Sequence, residues 1–250
     1  MRHRGLLPAK ATFSYEKASL VECGCRSHFR EDVPRARAQR KGVARGLDAR
    51  RLQEKIRELE AVRRKRGKAG PRISLGAEVD ILEDGRLDYP DDVLAKIDVV
   101  IAAIHSNFKQ ASAQMTARLL RAIDNPYVNI IAHPTSRQIG SRPPIQFDFD
   151  CVLAAAKSAR VAMEIDGSPW RLDLNDILAQ AVARAGGLLA IGSDAHSTAQ
   201  LNFMRYGVLQ ARRAWIEPRC IVNAWPWEKM HEWLLHRRPH GKAVGASAAD

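Results

Sequence analysis

No apolar run in the 250 residues approaches the length that a membrane-spanning helix needs. The first residues also lack the apolar core of a secretory signal, so cytoplasm is the expected compartment. Cysteine is sparse. Cys23, Cys25, Cys151 and Cys220 form no CxxC pair, which argues against both a zinc ribbon and a disulfide framework. No GxGxxG follows any apolar stretch, so a dinucleotide-binding sheet is not expected. Acidic charge is scarce at one end only. The whole net charge of +12 sits in residues 1–70, which hold 20 Lys/Arg against 8 Asp/Glu, while residues 71–250 balance. That leader is either an electrostatic footprint for nucleic acid or a solvated basic segment.

What is present is enough for a folded core, at 46% hydrophobic residues. Residues 1–42 show no sustained period, because arginines, prolines and glycines interrupt runs such as Ala18-Ser19-Leu20-Val21. The pattern predicts an irregular basic leader there. From Asp48, a plausible N-cap, Leu52, Ile56, Leu59 and Val62 recur at helical spacing until Gly67 and Gly70. The chain then falls into strand-helix units, with strands starting near 73, 98, 128, 161 and 188. Such spacing, with strands apolar throughout rather than alternating, predicts parallel strands covered by helices in a barrel-like α/β fold. A domain over 43–238 and a flexible tail over 239–250 complete the expected organisation.

The strand ends carry the chemistry. The apolar run Leu188–Ile191 ends in Gly192-Ser193-Asp194-Ala195-His196, Ile104 is followed by His105-Ser106, and Ile131-Ala132 by His133-Pro134-Thr135. The strand at 73 carries Glu78 within Gly76-Ala77-Glu78-Val79-Asp80. One histidine at a strand end is ordinarily structural, but packing gives no reason for imidazoles and carboxylates to recur there. Ligation of Zn²⁺, Mn²⁺ or Fe²⁺ does, and the C-terminal strand ends of a barrel share one rim.

These segments resemble the polymerase and histidinol phosphatase (PHP) superfamily, and within it the C-terminal PHP domain of bacterial family X DNA polymerases. The likeness runs from Val43-Ala44-Arg45-Gly46-Leu47-Asp48 through Gly76–Leu82, Ile104-His105-Ser106, His133–Arg137, Glu164-Ile165 and Arg171-Leu172-Asp173-Leu174 to Ser193–His196 and Gly207-Val208, about residues 43–236. It implies a distorted (β/α)7 barrel holding up to three divalent metals. Glu78, His105 and His133 would complete one site, Asp194 would serve a second and His196 a third. It further implies a metal-dependent phosphoesterase acting on phosphate esters or DNA 3′ ends, with Arg137 and Arg171 as candidate phosphate clamps. The family's opening His-x-His and Thr-Asp-His motifs are absent. Ahead of Val43 stand only His3 and His28. The chain thus reads as a truncated or frame-disrupted relative lacking its first two strands, with fewer than three ions and weak activity or none. The alternatives are a stand-alone phosphatase of histidinol-phosphate type and a non-catalytic nucleic-acid-binding module.

Overall fold

The computed structural model describes residues 20–23, 49–66 and 73–236. Six strands run β1 (Leu20–Cys23), β2 (Ile73–Asp80), β3 (Val99–Ala103), β4 (Val128–Ile131), β5 (Ala162–Asp166) and β6 (Leu188–Gly192). The helices are α1 (Ala49–Arg66), the single turn α2 (Asp91–Leu94), α3 (Ser112–Asp124), α4 (Phe149–Ser158), α5 (Asp176–Arg184), α6 (Met204–Arg213) and α7 (Trp227–Leu235). Every strand pairs in parallel with the next in sequence. Because parallel crossovers are right-handed, this unbroken order winds the covering helices onto one face. A doubly wound sheet would reverse its order midway, and this one does not. The α/β wall is the expected one, although no pairing joins β6 back to β1 among the described residues.

The sequence pattern predicts no strand before residue 43, and here the structure differs. Leu20–Cys23 lies parallel to β2, with Leu20 opposite Ile73 and Cys23 opposite Gly76. The short apolar stretch is too brief to show a period, but four residues suffice when a neighbouring strand offers a template. Among the described residues, one strand therefore stands ahead of Ile73 rather than none. The rest of 1–42, including His3 and His28, and the tail 239–250 lie outside the described residues.

Strand alternation divides the side chains between two faces. Leu75, Ala77 and Val79 of β2, Val100, Ala102 and then Ile104, Met163 and Ile165 of β5, and Leu189 and Ile191 of β6 point into the main core. There they meet Met115, Leu119, Ala122 and Ile123 of α3 and Val152, Leu153 and Ala156 of α4. Helix α4 opens on Asp148, whose carboxylate accepts the Cys151 amide at 3.0 Å, and α5 opens on Asn175, which accepts that of Leu178 at 2.9 Å. Both caps satisfy amides that a helix start leaves unpaired. Of the stripe expected on α1, Ile56 and Leu59 pack on the core while Val62 remains exposed. Arg63 anchors that helix, donating to the Ile73 carbonyl and to Asp98.

The other face is apolar only towards the strand starts. Val99, Ile130, Ala162 and Ala190 form a second cluster with Met230, Trp233 and Leu234 of α7, which therefore closes that end. Asn129 ties the same region together, accepting from the Val100 amide at 3.0 Å and donating to the Leu234 carbonyl at 3.2 Å. Trp233 donates its indole N–H to the Arg160 carbonyl at 2.8 Å. At the outer edge of β6, Ile221 makes a single parallel bridge to Leu189. Beyond it the Asn223 amide accepts from the Ile191 N–H at 3.0 Å and donates to the Ile191 carbonyl at 2.9 Å. Trp233→Ala should cost about 3–5 kcal/mol, since it empties a buried site and orphans the Arg160 carbonyl. Urea unfolding of the two proteins measures the difference.

Candidate metal centre

Period-two alternation puts the polar residues of the second face above its apolar ones. On β2, Glu78 and Asp80 are two apart and share a side. In register, they oppose Ile101 and Ala103 of β3, and His105 follows Ala103 by two. The imidazole of His105 thus arrives between both carboxylates, with Nε2 2.8 Å from Glu78 Oε1 and Nδ1 2.5 Å from Asp80 Oδ1. His133 follows the end of β4 by two residues and adopts a left-handed φ of 28°. Its Nε2 lies 3.1 Å from the same Glu78 oxygen. The two rings meet edge-on, 5.3 Å between centroids. Ligand atoms of Glu78, His105 and His133 all lie within 4.8 Å of one another.

Burial alone would raise the Glu78 pKa, but hydrogen bonds and positive charge from His105 and His133 hold it well below the usual carboxylate range. Burial likewise opposes charge on His105. The hydrogen bonds and charges of Asp80 and Glu78 prevail and lift it to about 9. At neutral pH without a metal, His105 is therefore an imidazolium donating to carboxylates from both nitrogens.

A second polar group adjoins the first through Glu164. This buried carboxylate accepts the His133 amide at 2.8 Å. Burial pushes its pKa well up, and the negative charge of Asp166 adds to the shift. Gly192 makes the arrangement possible, because a Cβ there would overlap Glu164 Oε1. Asp166, fully hidden, is raised by burial and by the charge of Asp194, and it accepts the Ser168 amide at 2.6 Å. Arg171 answers both of those carboxylates, its Nε 3.4 Å from Asp166 Oδ2 and 3.4 Å from Asp194 Oδ2. Asp173, also raised by burial, accepts the Thr135 amide.

The structure thus unites three of the five expected ligands. Asp194 stands outside that set, engaged with Arg171 instead. His196 is turned back on its own segment, Nδ1 2.8 Å from the Asp194 carbonyl, and is a third exposed. Of the two arginines expected at the phosphate, Arg137 is spent on structure, donating to the Arg171 and Leu172 carbonyls. Sequence reasoning gave no site role to Asp80, Glu164, Asp166 and Asp173. The signal was present for the first three: Glu78-x-Asp80 and Glu164-x-Asp166 put paired carboxylates on one side of otherwise apolar strands.

The donor set suits a divalent transition ion. Two imidazoles and a carboxylate are a familiar three-ligand set for zinc, leaving a position open. Asp80 grips the far nitrogen of His105, as carboxylates do behind metal-binding histidines.

No protein-family model matches the chain. It is 42% identical over 182 residues to the DNA polymerase/3′-5′ exonuclease PolX of Bacillus subtilis (strain 168), covering 73% of this chain and 32% of that protein. It is 31% identical over 164 residues to a probable phosphatase of Thermoanaerobacter sp. (strain X514), covering 62% of this chain and 64% of the other. The chain therefore spans about a third of the first relative and somewhat under two thirds of the second. Among solved structures it shares 17% identity with histidinol phosphate phosphatase from Lactococcus lactis subsp. lactis, crystallised with zinc, L-histidinol and phosphate, over 66% of this chain and 75% of that one. The TM-score of 0.49 is too low to bear on the fold. The identity to the polymerase and the phosphatase supports the resemblance to the PHP superfamily carried by the motifs on these strands.

Two outcomes follow from the geometry. Gly192→Ala should destabilise by about 1–3 kcal/mol, because Glu164 must leave its place on the His133 amide. A lowered urea midpoint checks it. The pH dependence follows from His105, whose folded pKa lies above its unfolded value of 6.5. In metal-free protein its contribution is complete below about 6.5 and is lost as pH rises through about 9. The size is on the order of 3 kcal/mol, and the lowered Glu78 pKa reports the same contact from its other side. Urea midpoints in EDTA across that range, compared with His105→Gln, measure it.

Proposed function

We propose that the chain is a metal-dependent phosphoesterase, acting on phosphate esters of which a DNA 3′ end is one. The carrying observation is the convergence of Glu78, His105 and His133 on one point at the C-terminal rim of the sheet. The curated relatives support the substrate class, one being a polymerase with 3′-5′ exonuclease and the other a probable phosphatase.

Glu78, His105 and His133 would hold the ion. When bound, a divalent metal there acts as a Lewis acid on a phosphoryl oxygen and lowers the pKa of its water. The surrounding residues prepare that site. Asp80 fixes the ring of His105, so that one nitrogen is committed and the other faces Glu78. Glu164 pins the backbone of His133 in its left-handed turn. Arg171 sets one positive charge beside Asp166 and Asp194, which lowers the repulsion an incoming phosphate would meet at the rim. Because Asp194 and His196 stand apart from the three ligands, one ion per chain is expected rather than three. With protein ligands gathered for one ion, turnover should be slow.

Metal analysis after dialysis against Mn²⁺ or Zn²⁺, beside hydrolysis of bis(p-nitrophenyl) phosphate, tests the reading. About one ion per chain and metal-dependent turnover are expected. His133→Ala should abolish both, and Asp80→Asn should weaken metal binding about 10- to 100-fold. Turnover that survives His133→Ala would overturn the assignment.

A further inference from the structure

The loop after β5 carries an indole that the fold does not bury. Trp170 is 58% exposed, although its neighbour Arg171 reaches the rim carboxylates and is only 13% exposed. The ring is not loose. The Trp170 carbonyl accepts the Ile139 amide at 2.7 Å, which ties its loop to the one after β4. Phe203 meets the indole edge-on at 5.6 Å, and Tyr206 continues the row 6.1 Å beyond. The backbone of Phe203 can come this near because Gly167 has no Cβ, which would run into the Phe203 carbonyl. Arg205 lies over the Tyr206 ring, its Cζ 4.6 Å from the centroid. The loop Arg137–Pro144, tied to Trp170 through Ile139, lines an open cavity of about 430 Å³, within the size range of small-ligand sites.

A braced aromatic face open to solvent, flanked by arginines and one residue from a phosphate-handling rim, has the parts of a nucleobase platform. Base stacking supplies the affinity, and the cations match the phosphodiester backbone. We infer that Trp170 is a stacking subsite for a nucleobase of a single-stranded substrate, giving nucleotidyl esters an advantage over plain phosphate esters. This rests on the phosphoesterase reading for its purpose but not for its test.

The test is fluorescence anisotropy with the full chain in EDTA, where nothing is cleaved, at one fixed ionic strength. Two fluorescein-labelled probes are compared, a short oligodeoxythymidylate and an abasic strand of equal length, so that binding by the basic leader enters both alike. The wild type should prefer the base-bearing strand about ten-fold. Trp170→Ala should erase the preference while leaving abasic binding in place, and Trp170→Phe should keep most of it. Circular dichroism confirms that each variant is folded. Equal binding of both strands by the wild type, or an undiminished preference in Trp170→Ala, would overturn the inference. Absence of metal-dependent hydrolysis together with an intact preference would remove the phosphoesterase reading and leave the stacking site standing.

Discussion

A buried carboxylate between two imidazoles is the constraint on which the rim depends. Glu78 can stay charged in the interior only because His105 and His133 converge on its oxygen. That convergence in turn requires strands β2, β3 and β4 to lie side by side in register. It also needs the chain to turn sharply at His133, where Glu164 holds the amide. Were the strands to slip by one residue, Glu78 and Asp80 would face the apolar core, where an unpaired charge costs far more than any packing gain. The polar rim therefore selects the register as firmly as the hydrophobic pattern does.

Charge on the rest of the rim is managed differently. Glu164, Asp166 and Asp173 are all pushed towards the neutral form by burial, and Arg171 is the cation shared by Asp166 and Asp194. The rim thus has one half in which the His105 cation sits between two carboxylates, and another in which buried carboxylates share one guanidinium. Buried Arg118 does comparable work behind the first half. It donates to the carbonyls of Ile81 and Ser106, joining the segments that follow Glu78 and precede α3. Removing one partner from such a network strands the others, so these groups are cooperative rather than additive.

Much of this was legible in the sequence because the strands are buried on both faces. Runs such as Val99–Ile104 and Leu188–Ile191 have no alternation to confuse with a helix, and the polar residues at their ends stand out. Glu78, His105 and His133 could be named for that reason. Asp80 and Glu164-x-Asp166 were harder to see, since a carboxylate inside an apolar strand looks like an interruption until a neighbouring strand shows which face it shares. The position of His196 was not readable at all. It depends on Asp194 taking a positive φ and on Gln200 accepting the His196 amide, a local turn that no periodicity marks. The strand Leu20–Cys23 escaped because pairing with β2 makes it a strand, not its own pattern.

Asn223 holds both hydrogen-bonding groups of Ile191 with a single side-chain amide. In doing so it imitates the backbone of a neighbouring strand at a point of β6 where, among the described residues, no further strand pairs. A parallel edge with free donors and acceptors recruits other chains. Here the acceptor and the donor are already taken, by a group that cannot itself extend the ladder. Among the described residues this edge of the sheet is terminated chemically, by that amide beside the single Ile221 bridge, rather than by a further paired strand.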